Sequence, residues 1–273
     1  MKLSIVTINY NNAEGLRRTL ASVADQSYRD IEHIIVDAAS TDGSVDIIKA
    51  YADVTKHTVV WSSEKDKGIY NGMNKGIRKA SGDYIQILNS GDILASADVT
   101  ERMIVALEVN GNPEFLYGNM VRKNYATGKL EGKSKEVEYS LRQYYASTMN
   151  HDCCYVHRSL YERYGLYDES LRIVSDWKWF LQAIGLGEVK PVYVDIDVTI
   201  FDASGISETN LELRNKERRQ VLEEILPPAV LADYNKHAFE TLQVDRLHKH
   251  HLYGLLYFIE RVLFKLEKWH VLK

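Results

Sequence analysis

The first ninety residues alternate between short apolar runs rich in β-branched side chains and segments with helical periodicity. Residues 3–8 and 31–36 are apolar runs of strand length, and between them Leu16 and Leu20 recur at helical spacing behind a candidate cap, Asn12. Two further strands are predicted at residues 57–61 and 84–88. Strands separated by helices of this length form a mostly parallel sheet with right-handed crossovers. The sequence therefore predicts an α/β fold in which helices flank a mostly parallel sheet.

Beyond residue 92 the pattern is less regular. Helices are predicted at residues 97–109, 159–164 and 175–184, strands at 115–117, 153–156 and 189–198, and a hairpin turn near 125–128. Residues 129–147 carry little pattern. The remainder is helical, with helices predicted at 208–226, 231–242 and 248–269 and a break at Pro227 and Pro228. We therefore predict one domain over residues 1–207 and a C-terminal helical region over residues 208–273.

Composition excludes several classes of protein. A chain of 273 residues with 45% hydrophobic and 26% charged residues can bury a large core, which excludes a disordered or fibrous protein. A formal net charge of −4 argues against nucleic acid as a partner. The apolar N-terminal run is too short for a signal peptide, and the only two cysteines, Cys153 and Cys154, are adjacent and too close to pair. These features predict a cytoplasmic protein without disulfides.

Acidic residues stand where two predicted strands end. Asp37 follows the second strand, and Asp92 follows the fourth. Open α/β sheets bind ligands at the carboxyl ends of their strands, and a carboxylate there suits a divalent metal ion on a phosphate. Each residue has a second interpretation, because Asp37 can form an Asx turn and residues 89–92 can form a turn with a helix cap. The pattern favours an enzyme that uses a nucleotide.

Five segments in order along the chain resemble motifs of glycosyltransferase family 2, whose members have the GT-A fold with a Rossmann-like sheet. They are residues 4–11, 36–44, 63–76, 88–92 and the pair Ser175-Asp176, and they span roughly residues 1–207. The resemblance implies an inverting enzyme that uses a nucleoside-diphosphate sugar, with a UDP-sugar favoured. The acceptor it implies is a hydroxyl group of a glycan or a lipid-linked glycan in surface polysaccharide assembly.

The resemblance assigns nucleotide contacts to the strand ends. The residues expected to bind the nucleotide are Ile8, Asn9, Tyr10, Asp37, Asp66 and Asn89. For Asp66 a second interpretation is a cap for the helix that begins near Tyr70. Asp92 is expected to hold Mn²⁺ or Mg²⁺ on the diphosphate, although Asn89 and Gly91 stand where many relatives carry further acids.

Asp176 is the candidate catalytic base. Inversion by direct displacement needs a carboxylate that takes the proton of the acceptor hydroxyl, and the resemblance places it here; the other interpretation is that Ser175 or Asp176 caps a helix. His151 and Trp177 are candidates for the acceptor site, against a structural hydrogen bond for His151 and a core position for Trp177. Ser207 lies in a segment that resembles the family's mobile loop and is a candidate phosphate contact.

Two other functions are compatible with such a sheet. A nucleotidyltransferase would share the sheet and the metal ion, but residues 9–15 are poor in the glycines and basic residues of its phosphate loop. A non-catalytic protein that binds nucleotide sugars would account for the small number of acids near Asp92. Enzymatic turnover of a donor separates these functions from glycosyl transfer.

The C-terminal region carries a separate signal. Apolar residues recur there at helical spacing between basic residues, namely Leu252, Leu256, Ile259, Leu263 and Leu266. Such a helix suits peripheral contact with the anionic inner face of a membrane, although its apolar part is too short to span a bilayer. The other interpretation is that this helix packs on the catalytic domain or on a second subunit of a homo-oligomer.

Overall fold

A mixed sheet of nine strands forms the centre of the described chain. The computed structural model describes residues 1–123, 128–202, 210–236 and 253–268. The strands are β1 (Leu3–Asn9), β2 (Ile31–Asp37), β3 (Thr58–Ser63), β4 (Tyr84–Ile87), β5 (Ile93–Leu94), β6 (Phe115–Lys123), β7 (Leu130–Lys133), β8 (Cys154–His157) and β9 (Val192–Asp202). They lie in the order β3-β2-β1-β4-β8-β6-β9-β5, and β7 pairs with β6.

The first four strands form the parallel half of the sheet. β1 pairs with β2 and β4, and β2 pairs with β3, all in parallel. β2 is buried along its whole length, as expected for a parallel strand covered on both faces. The register aligns Asn9 with Asp37 and Asp37 with Ser63, so the carboxyl ends of β1, β2 and β3 meet at one edge. The predicted α/β fold class is confirmed.

β8 joins the two halves of the sheet, because it pairs antiparallel with both β4 and β6. Beyond it, β6 runs parallel to β9, while β5 and β7 are short antiparallel partners of β9 and β6. Neither β5 nor β7 is predicted from the sequence. All four residues of β7 are exposed, so no alternation of apolar and polar side chains marks this strand.

Helices connect the strands and pack on the sheet. They are α1 (Ala13–Ala24), α2 (Ser44–Val54), α3 (Ile69–Lys79), α4 (Val99–Val109), α5 (Leu141–Ala146), α6 (Arg158–Tyr164) and α7 (Ser175–Phe180), the last continued by a π-helical turn, Leu181–Gly185. Asn12 caps α1 as predicted, because its side-chain oxygen accepts a hydrogen bond from the N–H of Gly15 at 3.2 Å. Leu16 and Leu20 of α1 share a buried cluster with Ile48 of α2. This cluster fixes the two helices next to each other.

The C-terminal part of the described chain is helical, as predicted. It contains α8 (Leu211–Ile225), α9 (residues 228–236) and α10 (Tyr253–Lys268). α9 begins at Pro228, earlier than the predicted start at residue 231, because proline fits the first turn of a helix, where its missing N–H is not needed. Among the described helices, none is long and apolar enough to cross a membrane.

Two compact units divide the chain, Met1–Arg219 and Gln220–Lys273. The predicted domain boundary at residue 207 falls in the segment 203–209, outside the described residues, so the boundary stays a prediction. Ser207 and Leu252 also lie outside the described residues.

His33 is buried in the parallel half of the sheet between two hydroxyl groups. Its Nε2 lies 2.9 Å from Thr7 Oγ1, and its Nδ1 lies 2.9 Å from Tyr51 Oη. Burial, together with the charge of His57, lowers the pKa of His33 from 6.5 to about 3. The imidazole is therefore neutral in the folded protein near neutral pH.

We expect His33 to make the protein less stable in mild acid. Its pKa is lower in the folded protein than in the unfolded chain, so the unfolded chain takes up the proton first as the pH falls below about 6.5. Between pH 7 and pH 5 this linkage lowers the free energy of unfolding by about 2 kcal/mol. Urea unfolding at the two pH values measures it, and His33→Gln should lose less stability than the wild type by this amount. Equal losses would contradict the prediction.

Candidate active site

The loops that follow β1 and β2 are tied together by hydrogen bonds. The backbone N–H of Asn11 donates to Ser40 Oγ at 2.8 Å, and the N–H of Thr41 donates to Asn11 Oδ1 at 2.8 Å. Asn11 and Ala39 both adopt left-handed backbone conformations, with φ of 46° and 59°. Asn enters this region more readily than most residues, whereas Ala39 keeps it only where its surroundings hold it there. The edge at which the strand ends meet is therefore rigidly built.

Asp37 is fully buried at this edge and organises it. Its Oδ1 accepts a hydrogen bond from Asn9 Nδ2 at 2.8 Å, and its Oδ2 accepts from the N–H of Ser40 at 2.9 Å and from Ser63 Oγ at 2.6 Å. Burial alone would raise the pKa of Asp37, but these hydrogen bonds hold it below its ordinary value. The bond to Ser40 is the Asx-type contact that the sequence left open. Asp37 is thus an ionised anchor for Asn9.

The other residues predicted at this edge differ in exposure. Ile8 is partly exposed, Asn9 is buried, and the Tyr10 side chain is 67% exposed. The Oδ1 atom of Asn9 is buried and has no hydrogen-bond partner among the described residues. This edge thus contains an exposed ring at Tyr10 and, at Asn9, a buried acceptor without a partner among the described residues.

Asp66 lies between β3 and α3 and forms an ion pair. Its Oδ1 accepts from Lys75 Nζ at 2.6 Å, and its side chain is largely buried. A Cβ atom at Gly72 would lie 2.7 Å from Asp66 Oδ2, so a glycine is needed there to let the carboxylate approach α3. The helix cap is Gly68, without a side-chain bond, so the capping role considered for Asp66 is not found.

A chain of hydrogen bonds links the end of β4 to the start of α7. Asn89 Nδ2 lies 2.9 Å from His151 Nε2, and His151 Nδ1 lies 3.0 Å from Asp176 Oδ2. Tyr70 Oη donates to Asp176 Oδ1 at 2.8 Å. Both carboxylate oxygens of Asp176 are therefore hydrogen-bonded. Oδ2 is bonded to His151 in the helical turn His151–Cys153, and Oδ1 is bonded to Tyr70 of α3. α7 follows Val174 without a side-chain cap, so the capping role considered for Asp176 is not found.

The groups that are hydrogen-bonded to Asp176 favour the ionised form of its carboxylate. Burial raises the pKa of Asp176, but the hydrogen bond and charge of His151, with the bond from Tyr70, bring it below its ordinary value. Burial lowers the pKa of His151, yet the bond to Asp176 and the nearby charges raise it above its ordinary value. The N–H₂ of Asn89 faces Nε2, so Nε2 accepts this bond while the Nδ1–H donates to Asp176. This arrangement leaves the side-chain oxygen of Asn89 unused by the part of the chain that the structure describes. Asp176 is therefore an ionised carboxylate that accepts a hydrogen bond from the Nδ1–H of His151.

Asp92 lies in a tight turn at the end of β4. Thr19 Oγ1 donates to the Asp92 carbonyl at 2.7 Å and accepts from the N–H of Gly91 at 2.9 Å. Gly91 has φ of 112°, a conformation that favours glycine, which accounts for the missing acid at that position. Asp92 is buried, and its charge raises the pKa of His151. The turn thus places a carboxylate near the Asn89–His151–Asp176 chain.

The residues around Asp92 fit a divalent cation that is shared with a substrate. The side-chain oxygen of Asn89 is buried and has no hydrogen-bond partner among the described residues. Carboxylate and amide oxygens are the ligands that Mg²⁺ and Mn²⁺ prefer. No group of three His, Cys, Asp or Glu residues that could hold a metal ion occurs in the described part of the chain. A cation here would need further ligands from a phosphate group.

Two predicted acceptor residues have different outcomes. His151 belongs to the hydrogen-bonded chain described above. Trp177 is buried, and its Nε1–H donates to the carbonyl of Tyr144 at 2.6 Å. The prediction that Trp177 stacks on an acceptor sugar is therefore wrong, and the core position that its helical spacing also indicated is correct. The sequence gives no role to Arg218, whose guanidinium lies over the Trp177 ring at 4.5 Å.

Comparison with known proteins gives consistent similarities. Residues 4–165 match the family described as Glycosyl transferase family 2. An uncharacterized glycosyltransferase of Mycobacterium tuberculosis (strain ATCC 25618 / H37Rv) is 32% identical over 207 residues, which cover 75% of this chain and 76% of that protein.

Two solved structures share the fold. S. aureus TarS 1–349 in complex with UDP-GlcNAc has a TM-score of 0.67 and 20% identity, covering 81% of this chain and 64% of that chain. The mannosyltransferase PcManGT from Pyrobaculum calidifontis, in complex with GDP-Man and Mn²⁺, has a TM-score of 0.57 and 17% identity, covering 80% of this chain and 60% of that chain. This chain thus spans less than two thirds of either solved chain. The likeness confirms the predicted GT-A fold.

Proposed function

The chain belongs to glycosyl transferase family 2 and is a glycosyltransferase, and we propose that it moves a sugar from a nucleoside-diphosphate donor to a hydroxyl acceptor with inversion. The observation that carries the proposal is the chain from Asn89 through His151 to Asp176, because it holds a carboxylate beside the turn that contains Asp92. The TarS and PcManGT structures contain UDP-GlcNAc and GDP-Man, which supports a nucleotide-sugar donor. The acceptor we propose is a glycan or a lipid-linked glycan in surface polysaccharide assembly.

Asp176 is the proposed base. In this reaction it takes the proton of the acceptor hydroxyl while the hydroxyl oxygen attacks the anomeric carbon on the face opposite the diphosphate. The bond between that carbon and the diphosphate oxygen breaks, and its electron pair stays with the diphosphate. His151 and Tyr70 support this role, because they keep the carboxylate ionised and fix both its oxygens.

Asn89 and Asp92 are the proposed protein ligands of a divalent cation, Mn²⁺ or Mg²⁺, which the donor diphosphate would share. When bound, the cation would neutralise the charge that develops on the leaving diphosphate. The unpartnered oxygen of Asn89 and the small number of protein ligands support a cation completed by substrate. The PcManGT complex contains Mn²⁺ together with GDP-Man, which agrees with this choice of metal.

The ends of β1, β2 and β3 are the proposed nucleoside site. The buried Oδ1 of Asn9 can accept a hydrogen bond from an imide N–H such as that of uracil, which supports a UDP-sugar. The exposed ring of Tyr10 can stack on the base. Asp37 would act by holding Asn9, and Asp66 by bordering the site from the end of β3. Ile8 would contribute an apolar contact.

A panel of UDP- and GDP-sugars tests the proposed function. Thermal unfolding with and without Mn²⁺ is followed by measurement of free UDP or GDP. We expect one donor to raise the unfolding midpoint only when Mn²⁺ is present, and the same donor to be turned over. Stabilisation without turnover would favour a non-catalytic nucleotide-sugar-binding protein, and pyrophosphate release from a nucleoside triphosphate would favour a nucleotidyltransferase. The absence of any effect from all nucleotide sugars would reject the proposal.

Replacing His151 should move the acid limb of the pH–activity profile to higher pH. Because the imidazole is the main group that lowers the pKa of Asp176, its removal leaves burial to raise that pKa. The profile of kcat/KM for donor turnover by His151→Gln measures the change. Tyr70→Phe is the matched variant, since it removes only a neutral hydrogen bond and should cause a smaller change in the same direction. An unmoved acid limb in His151→Gln would show that the imidazole does not control the base.

The last described helix, α10, is a proposed contact with an anionic membrane surface. Its apolar face is exposed and includes Leu255, Phe258, Ile259, Val262 and Leu263. Tyr257 and Phe264 of the same helix are also exposed. Residues 243–273 carry six Lys or Arg, Arg261 and Lys265 of α10 among them, against three Asp or Glu. This surplus of positive charge favours anionic lipid over a second copy of the chain.

Sedimentation of the full chain with lipid vesicles tests the membrane contact. We expect binding to vesicles that contain phosphatidylglycerol and none to pure phosphatidylcholine vesicles, and Phe258→Glu should abolish the binding. Val109→Glu is the control, because Val109 is an exposed apolar residue of α4. A concentration-dependent dimer without vesicle binding would instead identify α10 as a subunit interface.

A further inference from the structure

Two arginines stand one helical turn apart on α8, close to the proposed base. The Arg218 guanidinium carbon lies 4.5 Å from the ring centroid of Trp177, the residue that follows Asp176. Arg218 Nη1 also donates to the carbonyl of Ala146 in α5 at 3.3 Å. Arg214 precedes Arg218 by four residues and therefore lies on the same side of the helix. The two arginines thus lie on one side of α8, close enough for the charge of Arg214 to act on Arg218.

Glu217 fixes the position of α8 relative to the residues that precede α7. Its Oε1 accepts from the N–H of Arg172 at 2.8 Å and its Oε2 from the N–H of Ile173 at 2.9 Å. The side chain of Glu217 is buried, so both bonds are shielded from water. Because the two amides lie just ahead of α7, the register of α8 against α7 is set. The arginines are therefore held near Asp176 by the fold.

Neither Arg214 nor Arg218 forms a salt bridge with any residue that the structure describes. The Nε of Arg214 is buried and has no hydrogen-bond partner there. Burial and the charge of Arg214 lower the pKa of Arg218, although the charge of Asp176 acts in the opposite direction. Two like charges that are partly removed from water repel each other, and the charge of Asp176 offsets only part of this repulsion. The geometry therefore calls for an anionic ligand.

We infer that Arg214 and Arg218 bind a carboxylate or phosphate group carried by the acceptor. This inference rests on the proposed function, in which the acceptor hydroxyl lies at Asp176. The described contacts of Arg218 are with α5 and α7, and none of them involves the ends of β1–β3 or the turn at Asp92, where the donor is proposed to bind. A guanidinium pairs with carboxylate and phosphate oxygens through two parallel hydrogen bonds. The acceptor is thus an anionic glycan or glycolipid.

Binding of three sugars to the full chain, without donor or metal, tests the inference. The probes are glucuronate, glucose 6-phosphate and glucose, followed by ligand-observed NMR. We expect both charged sugars to bind about 10- to 100-fold more tightly than glucose, and the tighter of the two identifies a carboxylate or a phosphate as the source. Arg218→Gln and Arg214→Gln should each remove this preference. Arg218→Lys should keep part of it, and Arg219→Gln, at an exposed position of the same helix, should keep it fully.

Several outcomes would overturn the inference. Equal binding of the three sugars to the wild type would do so, as would an unchanged preference in Arg218→Gln. Weaker UDP binding by Arg218→Gln would assign the arginines to the donor. Unfolding is controlled for by the thermal midpoint, and binding is measured well below it. The midpoint of Arg218→Gln should fall because the contacts with Trp177 and the Ala146 carbonyl are lost, whereas that of Arg214→Gln should not fall. Arg-dependent sugar binding in a protein that turns over no donor would count against the proposed function alone.

Discussion

Asp176→Asn should lower the rate of transfer by about 10²- to 10⁴-fold and leave nucleotide affinity nearly unchanged. This is the usual contribution of a positioned general base. The amide has the shape of the carboxylate and can still accept the hydrogen bond from Tyr70, but it cannot take a proton. Initial rates of donor turnover with acceptor measure the loss, and calorimetry with UDP measures the affinity.

Asp168→Asn is the matched control for this variant. Asp168 precedes α7 and accepts a hydrogen bond at 2.8 Å from Nζ of Lys178, which follows Asp176 by two residues on that helix. Its loss should lower stability, because Lys178 is buried and, although burial raises the pKa of Asp168, the hydrogen bonds from Lys178 and Ser170 lower it to about 2. Below the thermal midpoint of the variant, transfer should continue near the wild-type rate. A fully active Asp176→Asn enzyme would remove Asp176 from the mechanism. Equal losses in both variants would show that disturbance of α7 alone accounts for the effect.

Asp92→Asn should lower kcat/KM for the donor by about 10²-fold or more in the presence of Mn²⁺. The carboxylate is the proposed protein anchor of the cation, and loss of metal-assisted charge neutralisation is worth several kcal/mol, where about 1.4 kcal/mol is a factor of ten. Thermal unfolding with UDP and increasing Mn²⁺ measures the same loss without turnover. The metal-dependent rise of the midpoint should disappear in the variant.

Uridine binding is the internal control for Asp92→Asn, because the nucleoside has no diphosphate to share a cation. Its affinity should be the same for both proteins and should not depend on Mn²⁺. An Asp92→Asn protein that keeps the Mn²⁺-dependent midpoint would show that the cation binds elsewhere. Wild-type turnover that is unchanged by EDTA would show that no cation is needed.

The strand ends could be predicted from the sequence, because buried parallel strands are continuous apolar runs whose limits are visible. Asn9 and Asp37 lie side by side in the register of β1 and β2, as the predicted βαβ unit requires. The turn at Gly91 ends β4 where the apolar run stops. Local periodicity and turn chemistry thus predict the part of the candidate site that the strand ends form.

The part of the candidate site that contains Asp176 could not be predicted, because it depends on contacts between residues that are distant in the sequence. Asp176 lies 25 residues from His151 and 106 residues from Tyr70, and no periodicity links side chains on different elements. Trp177 has the spacing of both a core residue and a ligand contact, and only its burial decides between them. Arg218 lies on a helix whose high charge resembles a solvent-exposed surface, so its position over Trp177 has no signal in the sequence.

The anomeric configuration of the first sugar released tests the central claim most directly. Proton NMR of the slow hydrolysis of an α-linked nucleotide sugar, recorded before the product equilibrates, distinguishes the two anomers without knowledge of the acceptor. Direct displacement assisted by Asp176 predicts that the β-anomer is formed first. Initial release of the α-anomer would contradict the proposed mechanism.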